Sequence, residues 1–139
     1  MPMQIKKTVI FATEGWFVYG QGDDIVGCFA DALGVDNVPI LYPNAFDIEY
    51  TIQPNEIVNT EEYCVCYDDE EDYGQKAFFG NGLYIRERLL DIYYNNKIKD
   101  TALIFPMSKV IKTKDLETEI RNNHASYKKV ADWIGEEDW

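Results

Sequence analysis

The chain has 139 residues, of which 46% are hydrophobic, with 25 acidic against 13 basic side chains and a net charge of −12. Aromatic residues make up 14%, more buriable surface than a disordered chain carries, so the charge leaves room for a packed core. The size fits one domain over 1–139, and no stretch approaches the roughly 20 apolar residues of a membrane helix.

At the N-terminus the apolar run Val9 to Ala12 is too short for a signal peptide. There is no Asn-x-Ser/Thr acceptor. The cysteines are Cys28, Cys64 and Cys66, an odd count in which a Cys64–Cys66 bridge would close a strained ring. These features predict a cytoplasmic protein with reduced thiols.

Lys7 to Thr13 and Trp16 to Tyr19 are β-rich runs around Glu14-Gly15, which reads as a hairpin. Asp23 and Asp24 precede Ile25, Val26, Phe29, Ala30 and Leu33, the stripe of a short Asp-capped helix ending at Gly34. After the apolar run Val38 to Tyr42, residues Phe46, Ile48, Tyr50 and Ile52 alternate with Asp47, Glu49, Thr51 and Gln53. That period of two predicts a half-buried strand with Asp47 and Glu49 facing solvent. Tyr63, Val65 and Tyr67 alternate with Cys64 and Cys66 in an expected partner strand.

The run Asp68-Asp69-Glu70-Glu71-Asp72-Tyr73-Gly74 is read as a loop, because five adjacent like charges repel one another. Past Asn81-Gly82, the spacing of Ile85, Leu89, Ile92 and Tyr93 predicts a helix closed by Asn95-Asn96, in preference to a type I′ hairpin joining Ala77–Phe79 to Leu83–Ile85. Thr101 to Ile111 reads as a buried strand with Pro106 at an edge or bulge. Asp115 then caps a helix through Leu116, Ile120, Tyr127, Val130 and Ile134, and residues 135–139 form a flexible acidic tail. The fold class is therefore α+β, a mainly antiparallel sheet with two or three helices packed on one face. No repeat of 20 to 50 residues is visible.

The acidity is uneven. Residues 1–40 carry two basic and five acidic side chains, 41–80 carry one and ten, and 81–139 carry ten of each. The middle third also holds half of the ten tyrosines, and its only cation is Lys76. Carboxylates interleaved with aromatic residues suit an interface with a basic protein. Carboxylates two apart on a strand stand roughly 6.7 Å apart, close to two phosphate steps of about 3.4 Å. The expected binding residues are Asp47, Glu49, Tyr67, Asp68, Asp69, Glu70, Glu71, Asp72 and Tyr73. The expected partner is a nuclease or another nucleic-acid-binding enzyme, engaged by the logic of anti-restriction, anti-CRISPR and nuclease-immunity proteins. That is an analogy of charge and size, carried by no family motif.

Direct nucleic-acid binding is disfavoured, since the surface would repel phosphate. The alternative is a small enzyme or nucleotide-binding domain using the Gly20–Asp24 turn or a carboxylate pair. Gly20-Gln21-Gly22 lacks the third glycine of a dinucleotide fingerprint, and Asp23 and Asp24 would oppose a pyrophosphate at the helix N-terminus. The one histidine, His124, falls on the last predicted helix, where a structural role is expected. Cys28, Cys64, Cys66 and His124 do not have zinc-site spacing, and a calcium loop from Asp68 fails at Tyr73 and Phe79. No metal and no cofactor is expected. A tyrosine-rich oligomer is a third reading.

Overall fold

Two hairpins organise the chain. The computed structural model describes residues 6–33, 41–69, 74–94 and 102–122. The first hairpin joins β1 (Lys7–Thr13) to β2 (Trp16–Gly22) through Glu14-Gly15, where Gly15 has φ 104°, a left-handed conformation that favours glycine. Helix α1 (Ile25–Leu33) follows, its start fixed by the Asp24 Oδ1 atom accepting the Gly27 N–H at 2.7 Å. Strand β3 (Asn44–Asp47) returns to pair with β1. The second hairpin, β4 (Glu62–Asp69) with β5 (Gly74–Asn81), leads directly into α2 (Gly82–Tyr94), and β6 (Leu103–Pro106) returns to pair with β4. A short β7 (Ile111–Lys112) and α3 (Thr113–Asn122) complete the described chain.

All pairings are antiparallel and the class is α+β, but there are two sheets where one was expected. Their orders are β2-β1-β3-β7 and β5-β4-β6. The sheets pack face to face, and the helices lie on both outer sides. Val9 and Phe11 of β1 meet Val26, Phe29 and Ala32 of α1 and Leu116 and Ile120 of α3 in one outer core. Tyr63, Val65 and Phe78 meet Ile85, Leu89 and Ile92 of α2 in the other. The central strands are thus buried on both faces, which is why β4 carries apolar side chains at successive positions.

The two halves share one plan: hairpin, helix, then a strand antiparallel to the hairpin's first strand. Matching their registers places Ile10, Ala12, Phe17 and Phe46 in correspondence with Cys64, Cys66, Ala77 and Phe105. These eight residues form the core between the sheets. Phe46 and Phe105, a corresponding pair, meet with ring centroids 5.1 Å apart. The third strand of each half runs straight into a 3-10 turn, Ile48–Tyr50 or Met107–Lys109. Each half then lends its next residues to the other sheet. The Ile52 N–H donates to the Ile104 carbonyl at 2.9 Å, and Ile111 pairs with Ala45, the position corresponding to Ile104.

This plan revises several expectations. The strand read over 46–52 ends at Asp47, because its Oδ1 accepts the Glu49 N–H at 3.0 Å and starts a 3-10 turn. The period changes from two to three there, so Ile48 is only half-buried and Tyr50 is exposed beneath the Lys109 ammonium. Phe46 and the Tyr63–Val65–Tyr67 row occupy opposite faces of different layers. The strand read over 101–111 is two strands in two sheets, parted by the turn after Pro106. Asp68, Asp69 and Gly74 belong to β4 and β5 and not to a loop. The helix at Gly82 is observed, with the Asn81 Oδ1 atom accepting the Tyr84 N–H at 2.9 Å. Asp115 lies inside the first turn of α3, whose Thr113 N–H donates to the Pro43 carbonyl at 3.0 Å, so it is not the cap. Val38–Ile40, Asn95-Asn96, His124, Tyr127, Val130, Ile134 and the tail at 135–139 lie outside the described residues. No described helix is long and apolar enough to cross a membrane.

Candidate interaction surface

The predicted binding residues separate by depth. Asp47 is 6% exposed, and its Oδ2 accepts a 2.8 Å hydrogen bond from the Lys7 ammonium. Of the two acids placed on the solvent face, only Glu49 is exposed. The Asp47 carboxylate holds Lys7 above its ordinary pKa, chiefly through that hydrogen bond. A two-residue row of free carboxylates at 47 and 49 is therefore absent, because one of the two caps and neutralises within the chain. Tyr67 is also buried, edge-on to Phe78 with centroids 6.1 Å apart. Tyr67 belongs to the core between this sheet and α2. Asp69 is buried and Asp68 exposed, while Glu70, Glu71, Asp72 and Tyr73 lie outside the described residues.

Matching the hairpins isolates what is particular to this region. Thr13 and Trp16 close the first hairpin and correspond to Tyr67 and Lys76 in the second. Where the first turns back through two residues, the second continues as the paired positions Asp68–Gln75 and Asp69–Gly74. The remaining acids of the run follow directly in sequence. The second hairpin is thus longer than the first by two paired positions, and these carry Asp68 and Asp69.

The base of this extension brings Lys76 together with Trp16, a meeting that sequence reasoning did not foresee. The Lys76 ammonium stands 4.1 Å from the centre of the Trp16 ring, which is 54% exposed. The only cation of the middle third is thereby stacked on an aromatic face. Beside it, the Gly15 N–H donates to the Ala77 carbonyl at 2.8 Å, and Glu14 accepts the Phe79 N–H at 3.1 Å. These bonds cover part of the β5 edge with the tip of the first hairpin. Tyr19, also exposed, lies on β2, the edge strand of the other sheet. No local sequence pattern brings Trp16 to Lys76; the meeting follows from the two sheet edges coming together.

The alternative sites have structural accounts. A Cβ at Gly20 would stand 1.9 Å from the Cys28 carbonyl oxygen, and one at Gly22 would stand 2.7 Å from the Gly27 carbonyl carbon. These glycines let α1 lie against β2, and Asp24 caps that helix, so close packing explains the turn without a phosphate. The Cys64 and Cys66 sulfurs lie 3.8 Å apart in the inter-sheet core, where burial pushes the Cys66 thiol well above its ordinary pKa. Among the described residues, no group of three or more His, Cys, Asp or Glu side chains is arranged to hold a metal ion.

Comparison of the chain with protein-family models, with curated proteins and with solved structures finds no match.

Proposed function

We propose that the protein is a non-enzymatic binding protein whose acid-tipped β4–β5 hairpin engages the basic surface of a nucleic-acid-handling protein. The observation that carries this reading is the extension of the second hairpin beyond the length at which the first one closes, through Asp68 and Asp69 and into Glu70-Glu71-Asp72. Five neighbouring carboxylates repel one another and cost stability. The first hairpin closes at the corresponding position without such a stretch. A basic partner would relieve the repulsion and use the same charges to accelerate encounter. Trp16, exposed at the base, supplies an aromatic contact of the kind enriched at binding hot spots.

The test is capture from a cell lysate with the native chain and with D68N/E70Q/E71Q/D72N, which leaves the buried Asp69 in place. The native chain should retain a basic protein that is released by added salt or by competing duplex DNA. The neutralised chain should melt at the same temperature or slightly higher and should associate more slowly. Equal capture by both chains, with the same salt dependence, would overturn the proposal.

A further inference from the structure

Helix α2 presents two apolar faces. Ile85, Leu89 and Ile92 are buried against the sheet, while Leu83 and Leu90 are 53% and 71% exposed and Tyr93 is exposed beside them. Leu83, Leu90 and Tyr93, with Arg86 and Glu87 between, have the spacing of a two-turn seam for a second helix. The seam borders a groove of about 490 Å³ lined by Pro54, Ile57, Leu89, Leu90 and Tyr93, with Arg86 donating a hydrogen bond to the Ile57 carbonyl.

The internal correspondence explains why this groove is open. The 3-10 turn Pro54–Glu56 has the same place after its 3-10 turn and bridging strand as the start of α3 has in the other half, and Ile57 corresponds to Leu116. In the second half the chain continues as a helix whose Leu116 and Ile120 cover the first sheet. In the first half it leaves after one turn to enter β4, so the space beside α2 has no matching helix from the described chain.

We infer that a second copy of this chain covers the face, with α2 packed antiparallel against its counterpart about a two-fold axis between Arg86 and Glu87. In that register Leu83 of one copy opposes Leu90 of the other, and Arg86 opposes Glu87 twice. The surface is self-complementary in charge as well as apolar pattern, as an isologous contact requires. The helix carries Arg86 and Arg88 against Glu87 and Asp91. Its local balance lets two chains of net charge −12 meet where repulsion is least. The contact rests on the face of α2 turned away from its sheet and does not depend on the binding function proposed for the hairpin.

Sedimentation of the full chain over a dilution series tests this inference. The native protein should shift from monomer to dimer as concentration rises, and L90D should remain monomeric and melt where the native chain melts at high dilution. R86E and E87R should each raise the dimer dissociation constant about tenfold, since each places like charges across the axis. Mixing those two variants should give a heterodimer of native affinity, because both cross-axis pairs are again opposite in sign. A native chain that is monomeric at every concentration would overturn the dimer. A mixture no tighter than the single variants would overturn this register even if L90D disturbed the fold.

Discussion

The two halves use one plan and differ in what they attach to it. The first closes its hairpin in two residues, folds its tip onto β5, and ends its third strand with a buried, paired carboxylate at Asp47. The second lengthens its hairpin into an acidic extension and has Pro106 in the corresponding position, where no side-chain cap bond is made. Features common to both halves follow from the requirement that two sheets and their helices bury apolar faces. The extension has no counterpart in the first half, which is why the binding role proposed above is placed there.

The comparison fails first if the inter-sheet core is not shared evenly. Phe46→Ala and Phe105→Ala each remove a fully buried ring from corresponding sites and should cost about 3–5 kcal/mol apiece in urea unfolding. The double variant should cost less than the sum, because the rings touch. A cost confined to one half would show that the other sheet is held by something else.

Glycines at corresponding hairpin positions sharpen the contrast. A Cβ at Gly20 would collide with the backbone of α1, whereas one at Gly80 would stand 2.3 Å from the ring of Tyr84, a side chain whose edge contact with Phe78 would have to give. Gly20→Ala should therefore lose about 3 kcal/mol or more, and Gly80→Ala about 1 kcal/mol. Equal losses in a denaturation series would mean that both helices are fixed equally tightly.

A smaller difference comes from Cys28, whose thiol donates to the Lys7 carbonyl at 3.3 Å under α1. Burial, with the Asp24 charge adding to it, raises its pKa from 9.0 to about 11. The folded state holds that proton more tightly than the unfolded chain. Its contribution is present below pH 9 and is lost as pH rises toward about 11, a change on the order of 2–3 kcal/mol. Cys28→Ala should remove this share of the alkaline slope in urea titrations at stepped pH. An unchanged slope would assign the alkaline loss elsewhere.

Much of the local structure was legible because the signals were short-range. Glu14-Gly15 announced a turn, Asp24 a helix start, and Ile85, Leu89 and Ile92 a helical face. Over residues 46–52 the alternation was real in sequence, yet the Asp47 carboxylate found a nearer partner in the Glu49 N–H and turned the backbone. Strand β5 was missed because its Ala77–Phe79 stretch was weighed only as a partner for Leu83–Ile85, when its true neighbour is β4. Glu49 and Asp68 were correctly expected at the surface, whereas the burial of Tyr67 depended on the core that α2 forms over its sheet.

The internal repeat shows the same division. Corresponding core positions hold Ile10 and Cys64, or Phe17 and Ala77, and a core constrains total volume more than the identity of each side chain. The halves can therefore share a plan without sharing a motif. The sequence by itself determined the class of the fold, the first hairpin's turn chemistry, the starts of α1 and α2 and the concentration of acid in the middle third, all of which depend on neighbours a few residues apart. Only the tertiary structure decided that there are two sheets, that each half lends residues to the other's sheet, and which carboxylates face water. Those outcomes depend on which distant strand supplies the missing hydrogen bonds and apolar cover, and neither period nor composition carries that information.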